Sequence, residues 1–131
     1  EKNNLSLKEI EWIQNHKTGT LISCCSLLAS ILLDADEIQK NVLINYSNNI
    51  GLAFQIADDL LDVDGKEEVI GKPVMQDKTN ETPNFVTILG KENASKKAIQ
   101  ISNDAVNLIQ KFQPEAENLV SLAKYTVNRT Y

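Results

Sequence analysis

Hydrophobic residues recur at helical spacing through most of the 131-residue chain. Ser6 and Glu9 have the capping-box spacing that predicts the start of a first helix. The nearly continuous apolar run from Leu21 to Leu33 predicts a buried core helix. Apolar steps of three and four residues then predict one long helix from about Asp36 to Asp62, with Gln39 able to complete its N-terminal cap. Because no convincing pair of strands appears, the predicted fold class is all-α.

Shorter helices are predicted beyond a charged segment at about 64–82. That segment contains two Gly and one Pro and has no helical periodicity, which is typical of a flexible or functional loop. Thr82-Pro83 has the pattern of an N-cap followed by Pro at the first helical position, and predicts a short helix that Gly90 ends. Another helix is predicted from Asn93, and Pro114 separates it from the last one.

The segment His16–Thr20 is the weakest helical point in the first third of the chain. Its β-branched residues flank Gly19, and a kink there would expose backbone carbonyl groups. His16 itself is interpreted as a helix-end or packing histidine rather than a ligand. A cap on the C-terminal end of a helix is the simpler alternative role for Lys17.

Three aspartates interrupt an apolar helical run in the middle of the chain. Helical geometry places Gly51, Gln55, Asp58 and Asp62 on one narrow stripe, with Asp59 about 100° round the axis. An acidic stripe is usually a solvated face, but Asp is a poor helix former and like charges one turn apart repel each other. A hard cation bound by these oxygens, most simply Mg²⁺ shared with substrate phosphates, is the favoured interpretation.

Composition excludes several classes of function. The net charge is -5 and Arg129 is the single arginine, so the clustered basic surface that a nucleic-acid partner requires is absent. The longest apolar run is too short to span a bilayer, so no membrane span is predicted. The adjacent Cys24 and Cys25 are expected to be buried, reduced side chains, which favours a cytoplasmic location.

Three motifs, in order along the chain, resemble those of the trans-isoprenyl diphosphate synthases. The stretch Phe54–Asp62 resembles the second aspartate-rich motif of that family. His16–Gly19 resembles its Lys-Thr helix break, and Gly71-Lys72-Pro73 with Asp77 resembles its Gly-Lys loop. The segment 119–125 is similar to the closing helix of the bacterial short-chain type, the farnesyl or geranyl diphosphate synthases. The resemblance implies an antiparallel helical bundle of the isoprenoid synthase type, with residues 1–131 as the C-terminal part of that domain.

The resemblance also implies a reaction: condensation of isopentenyl diphosphate with an allylic diphosphate, assisted by Mg²⁺, in a homodimeric enzyme. The implied metal ligands are Asp58, Asp59 and Asp62. The implied diphosphate contacts are Lys17 and Lys72. The implied catalytic residues are Lys17, Thr18 and Gln55, where the Gln55 amide oxygen and a carbonyl freed at the helix break would face the carbocation.

The chain departs from the family pattern at several points, which keeps an alternative open. Thr82 stands where most members have a second lysine, Met75 stands where a glycine is usual, and the first aspartate-rich motif is absent. We therefore expect these 131 residues to be inactive alone. The alternative is a non-catalytic helical module that retained the fold. Two alternatives for single residues also stay open: Lys72 as an ordinary loop lysine, and Gln55 as a buried amide bonded within the helix packing.

Overall fold

The computed structural model describes residues 5–70 and 83–129. Every regular element in these two ranges is helical, which confirms the all-α prediction. The elements are α1 (Leu7–Gln14), a π-helical segment (Asn15–Gly19), α2 (Thr20–Leu32), α3 (Glu37–Ile70), α4 (Phe85–Leu89), α5 (Lys91–Ile109), a 3₁₀ turn (Gln110–Phe112) and α6 (Glu117–Asn128).

Helix α3 is the centre of the bundle and packs against α2, α5 and α6. A four-residue turn at 33–36 joins α2 to α3, so the two helices run antiparallel. Their register is fixed by hydrogen bonds between Ser23 and Asn48 and between Ser26 and Ser47. Helix α6 is tied to the bundle by the Tyr46 hydroxyl, which donates to the Leu119 carbonyl at 2.8 Å.

Two helix starts follow the predicted caps. The Ser6 hydroxyl accepts from the Glu9 amide at 3.3 Å, while the Glu9 carboxylate accepts from the Ser6 amide at 2.8 Å. The same reciprocal pair links Asp36 and Gln39, at 2.8 and 3.0 Å. Both pairs satisfy amide groups that have no partner inside the helix.

Three predicted boundaries were wrong. Helix α3 continues to Ile70 rather than ending near Asp62, because the single Gly65 costs only about 1 kcal/mol and the Lys and Glu residues after it are good helix formers. Residues 71–82 of the predicted loop, with Thr82, lie outside the described ranges. Helix α4 begins at Phe85, where Asn84 provides the cap together with Thr87. Helix α5 begins at Lys91, immediately after Gly90, whose φ of 77° ends α4.

The prediction that α2 is a buried core helix was also wrong. Ser30 is its only buried residue, whereas Leu21, Leu28 and Leu32 are 69, 55 and 80% exposed. Cys24 and Cys25 are free thiols, as predicted, but they are exposed. The reason is that α2 turns its small and polar face towards α3, which allows close approach, and leaves its larger apolar face without a partner in the described part of the chain.

The buried side chains form two clusters along α3. One cluster contains Ile10, Ile56, Phe85, Val86, Ala94 and Ala98. The other contains Tyr46, Ile50, Ala105, Ile109, Ala116 and Ala123. The first cluster joins α1, α4 and α5 to the part of α3 that carries the aspartates. Within the described ranges, none of the helices combines the length and apolar character needed to cross a membrane.

Candidate active site

The π-helical segment meets the acidic helix at a contact between two glycines. A Cβ built on Gly51 would lie 2.8 Å from the Gly19 Cα atom, closer than real Cβ atoms approach. The backbones of the segment and α3 therefore touch, which only glycine permits at this position. This contact fixes Lys17 and Thr18, on the turn before Gly19, relative to the stripe that begins at Gly51.

The predicted weak point in the first third of the chain is a π-helix rather than a break. The backbone enters and leaves it in helical geometry, at Gln14 and Thr20. At its end the Thr20 amide and the Thr20 hydroxyl both donate to the Asn15 carbonyl, the hydroxyl at 3.0 Å. Single π-helical turns inside α-helices frequently occur at functional sites.

His16 is a packing residue, as predicted. Its ring stacks on Trp12 with centroids 4.2 Å apart, and its Nδ1 lies 2.7 Å from the Trp12 carbonyl oxygen. Lys17, the next residue, is exposed and Thr18 is half-buried. The Lys17 charge acts on Asp59, whose pKa it lowers. The structure thus brings the predicted cation within electrostatic range of Asp59, one of the predicted carboxylates.

Asp59 is tied to the start of α4. Its Oδ2 accepts from the Phe85 amide at 2.9 Å. Burial raises the pKa of Asp59, the Phe85 hydrogen bond lowers it, and the charges of Asp62 and Asp58 raise it further. The balance is a pKa above the ordinary value, because burial and two like charges outweigh the Phe85 amide and Lys17. A charged Asp59 is therefore costly at neutral pH, and a cation beside it would reduce that cost.

Asp58 and Asp62 have different surroundings although they lie one turn apart. Asp58 forms an ion pair with Arg129, while Asp62 is exposed and has no ion pair or hydrogen bond to the described residues. Asp64 lies within α3 and pairs with Lys91 at the start of α5. Asp64 therefore lies inside α3, although the sequence predicted that the charged loop begins there.

Arg129 is the residue at this site that sequence reasoning missed. It follows α6 directly and reaches across one turn of α3, where its Nη2 contacts Asp58 and lies 3.3 Å from the Phe54 carbonyl oxygen. Its guanidinium carbon lies 4.0 Å from the centre of the Phe54 ring. The available signal was that it is the only arginine in the chain, and arginine is the cation best suited to partly buried carboxylate pairs.

The carboxylate oxygens of the three aspartates are ligands that suit Mg²⁺. Within residues 5–70 and 83–129, however, no group of three or more acidic, histidine or cysteine side chains is already arranged as a metal site. Asp62 has both oxygens available, and Asp58 and Asp59 each use one oxygen in the contacts above. Mg²⁺ typically takes one or two protein carboxylates and completes its shell with water and phosphate oxygens. Gln55 is half-buried one turn from Asp59, and Lys72 lies outside the described residues.

Comparison with known proteins identifies the class to which this arrangement belongs. Residues 1–123 match the family described as polyprenyl synthetase. The chain belongs to the polyprenyl synthetase family. It is similar to a farnesyl diphosphate synthase from Micrococcus luteus, with 40% identity over 98% of the chain and 44% of that protein. A geranylgeranyl diphosphate synthase from Cyanophora paradoxa is 34% identical over 98% of the chain and 43% of that protein.

Solved structures of the same class share the fold. An apo FPP/GFPP synthase from Zymomonas mobilis superposes with a TM-score of 0.79 and 31% identity, over 93% of the chain and 39% of that protein. A geranyltransferase from Legionella pneumophila gives a TM-score of 0.74 at 26% identity, over 98% of the chain and 40% of that protein. The chain thus spans less than half the length of these members of the family.

Proposed function

We propose that this chain supplies three parts of a prenyltransferase: the Gly-Lys loop, Lys17 of the π-helical segment, and a carboxylate wall formed by Asp58, Asp59 and Asp62. The enzyme would join isopentenyl diphosphate to an allylic diphosphate. The observation that supports the proposal best is the Gly19–Gly51 contact, which joins the π-helical segment carrying Lys17 to the helix carrying the aspartates. Membership of the polyprenyl synthetase family supports the same reaction class.

The proposed residues act mainly through electrostatics. Bound Mg²⁺ would neutralise the leaving diphosphate as the carbon–oxygen bond breaks and its electron pair departs. Asp58, Asp59 and Asp62 would hold the metal, and Lys17 would contact diphosphate oxygens as a point charge. Lys72 would add a second such contact from the segment outside the described residues.

The carbocation left by this step is stabilised by negative electrostatic potential from groups that do not bond to it. The Gln55 amide oxygen and a backbone carbonyl at Lys17 or Thr18 would supply this potential without forming a bond. The double bond of isopentenyl diphosphate would then attack the cation, and the resulting adduct would transfer a proton to an oxygen of the released diphosphate. A low-dielectric pocket would strengthen each of these interactions.

We further propose that the 131 residues alone do not turn over and that the active form is a cytoplasmic homodimer of a longer protein. The exposed apolar face of α2 supports the first point, because Leu21, Leu28 and Leu32 need a covering surface that the described part of the chain does not supply. The sequence also contains one aspartate-rich motif where the family has two, which supports the same point. Measurable prenyl transfer by these residues alone would contradict it.

The central test uses the longer gene product with Mg²⁺, isopentenyl diphosphate and an allylic diphosphate. We expect prenyl transfer that Asp62→Asn and Lys17→Gln reduce by at least about 100-fold, the range found when one preorganised electrostatic group is removed. Asp104→Asn and Lys124→Gln are the matched controls, because each removes an equal charge at an exposed position on α5 or α6. A folded protein without prenyl transfer would refute the proposal.

One observation favours the second candidate, a non-catalytic module with the same fold. Asp58 is already neutralised by Arg129 and Asp59 is already used by the Phe85 amide. Thermal unfolding with Mg²⁺ and inorganic diphosphate separates the candidates. A functional half-site is stabilised by the ligand through mass action, and Asp62→Asn abolishes the effect. A degenerate module has the same melting temperature with and without the ligand.

A further inference from the structure

Arg129 has three partners on one turn of α3, and only one of them is a carboxylate. The guanidinium contacts Asp58, lies 3.3 Å from the Phe54 carbonyl oxygen, and covers the Phe54 ring at 4.0 Å. Its side chain is 11% exposed, against 36% for Asp58. The Phe54 contacts hold Arg129 at this place independently of the ion pair.

The guanidinium is not fully satisfied in this position. Its Nε is buried without a hydrogen-bond partner among the residues that the structure describes. Arginine presents five donors, and leaving one of them buried and unpaired costs free energy. Arg129 is therefore held beside Asp58 by charge and stacking rather than by complete hydrogen bonding. Such an ion pair can be exchanged for another cation at a modest cost.

Asp58 is the carboxylate for which two cations would compete. We propose that Arg129 is the resident counter-cation of Asp58. A divalent ion binds at the carboxylate wall only by displacing the guanidinium from Asp58, while Phe54 retains the guanidinium beside the site. This inference rests on the proposed function, because it requires that Asp58 and Asp62 take the ion. Arg129 is then a positioning residue that sets ion affinity through Asp58.

Exchange of Arg129 for the ion at Asp58 predicts a change in ion affinity on Arg129→Gln. A merely structural role for Arg129 predicts no change or a change of the opposite sign. If Arg129 only stabilises the bundle, then Arg129→Gln should leave ion affinity unchanged or lower it. If Arg129 competes with the ion, its removal should raise ion affinity. The expected increase is about two- to fivefold, the range of a partly exposed charge pair.

Titration of the 131-residue chain with Mn²⁺ measures this directly. Carboxylate sites accept Mn²⁺ in place of Mg²⁺, and the electron paramagnetic resonance signal of the free ion reports binding without any need for activity. We expect tighter binding by Arg129→Gln than by the unsubstituted chain. Arg129→Lys retains the charge and should restore the weaker binding. Lys124→Gln removes one positive charge from α6 without touching Asp58, so it should bind as the unsubstituted chain does.

A second measurement covers the case in which Arg129→Gln destabilises the chain. With a chelator present to remove divalent ions, Arg129→Gln should raise the equilibrium constant for unfolding about fivefold. The increase should be much smaller when Asp58→Asn is already present. Saturating Mn²⁺ should remove this dependence on residue 129. A dependence that persists unchanged in Mn²⁺ would overturn the exchange.

The outcomes separate this inference from the proposed function. If Asp62→Asn abolishes Mn²⁺ binding while Arg129→Gln binds Mn²⁺ as the unsubstituted chain does, the exchange is refuted and the proposed carboxylate wall stands. If none of the variants binds Mn²⁺, the exchange is likewise refuted, and prenyl transfer by the longer gene product decides the proposed function on its own.

Discussion

The substitution Gly51→Ala tests how the two halves of the candidate site are held together. The added Cβ would lie 2.8 Å from the Gly19 Cα atom. Raising that separation to the 3.4 Å at which ordinary contact begins requires the backbones to move apart by about 0.6 Å. The atom opposite is backbone, so no side-chain rotation relieves the clash.

The expected cost follows from three opposing effects. Overpacking of this kind costs about 1 to 3 kcal/mol. Separating α2 from α3 also lengthens the Ser23–Asn48 and Ser26–Ser47 hydrogen bonds, each worth about 1 kcal/mol. Alanine regains about 1 kcal/mol of helix propensity. The net prediction is a loss of about 1 to 3 kcal/mol in the free energy of unfolding.

Gly19→Ala is the matched control on the other side of the contact. Its Cβ would meet the Asn15 Oδ1 at 3.3 Å and other Asn15 side-chain atoms beyond that. A side chain can shift where backbone cannot, so the helix-propensity gain should leave this variant near neutral or slightly stabilised. Urea denaturation of both variants provides the comparison. The reasoning is refuted if Gly51→Ala is as stable as Gly19→Ala.

Three further predictions concern positions away from the acidic stripe. Burial raises the pKa of Tyr46 to about 12, so the folded state keeps a proton that the unfolded state loses, and stability should fall as the pH rises from 10 to 12. Tyr46→Phe should flatten this pH dependence and the exposed Tyr125→Phe should not; equal slopes would contradict the assignment. Ser102→Ala removes the 2.7 Å hydrogen bond that Ser102 donates to a carbonyl of α6, and should lower the free energy of unfolding by about 1 kcal/mol in urea; no change would show that this bond is not stabilising. Leu32→Glu, at a position 80% exposed, should change stability by less than about 0.5 kcal/mol, and a large loss would mean that α2 is a core helix after all.

The sequence pattern predicted local structure correctly where that structure depends on residues only a few positions apart. The caps at Ser6 and Asp36 form as expected, because each depends only on a side chain three positions away. The π-helical segment falls at the predicted weak point for a similarly local reason. Hydrophobicity alone misled at α2, where the apolar run predicted burial but the small polar face makes the contact with α3. Segment composition misled at 64–70, where the helix continues because its backbone hydrogen bonds outweigh one glycine.

The sequence by itself determined the fold class, the helical spacing of the aspartates and the order of the motifs, because helix geometry relates neighbours along one chain. Only the tertiary structure decided which groups meet across the bundle: Gly19 with Gly51, Asp59 with the Phe85 amide, and Asp58 with Arg129. Arg129 lies 71 residues from Asp58 along the chain, and no periodicity links positions so far apart. Their pairing depends on where α6 packs, and that is set by buried contacts such as the Tyr46–Leu119 hydrogen bond.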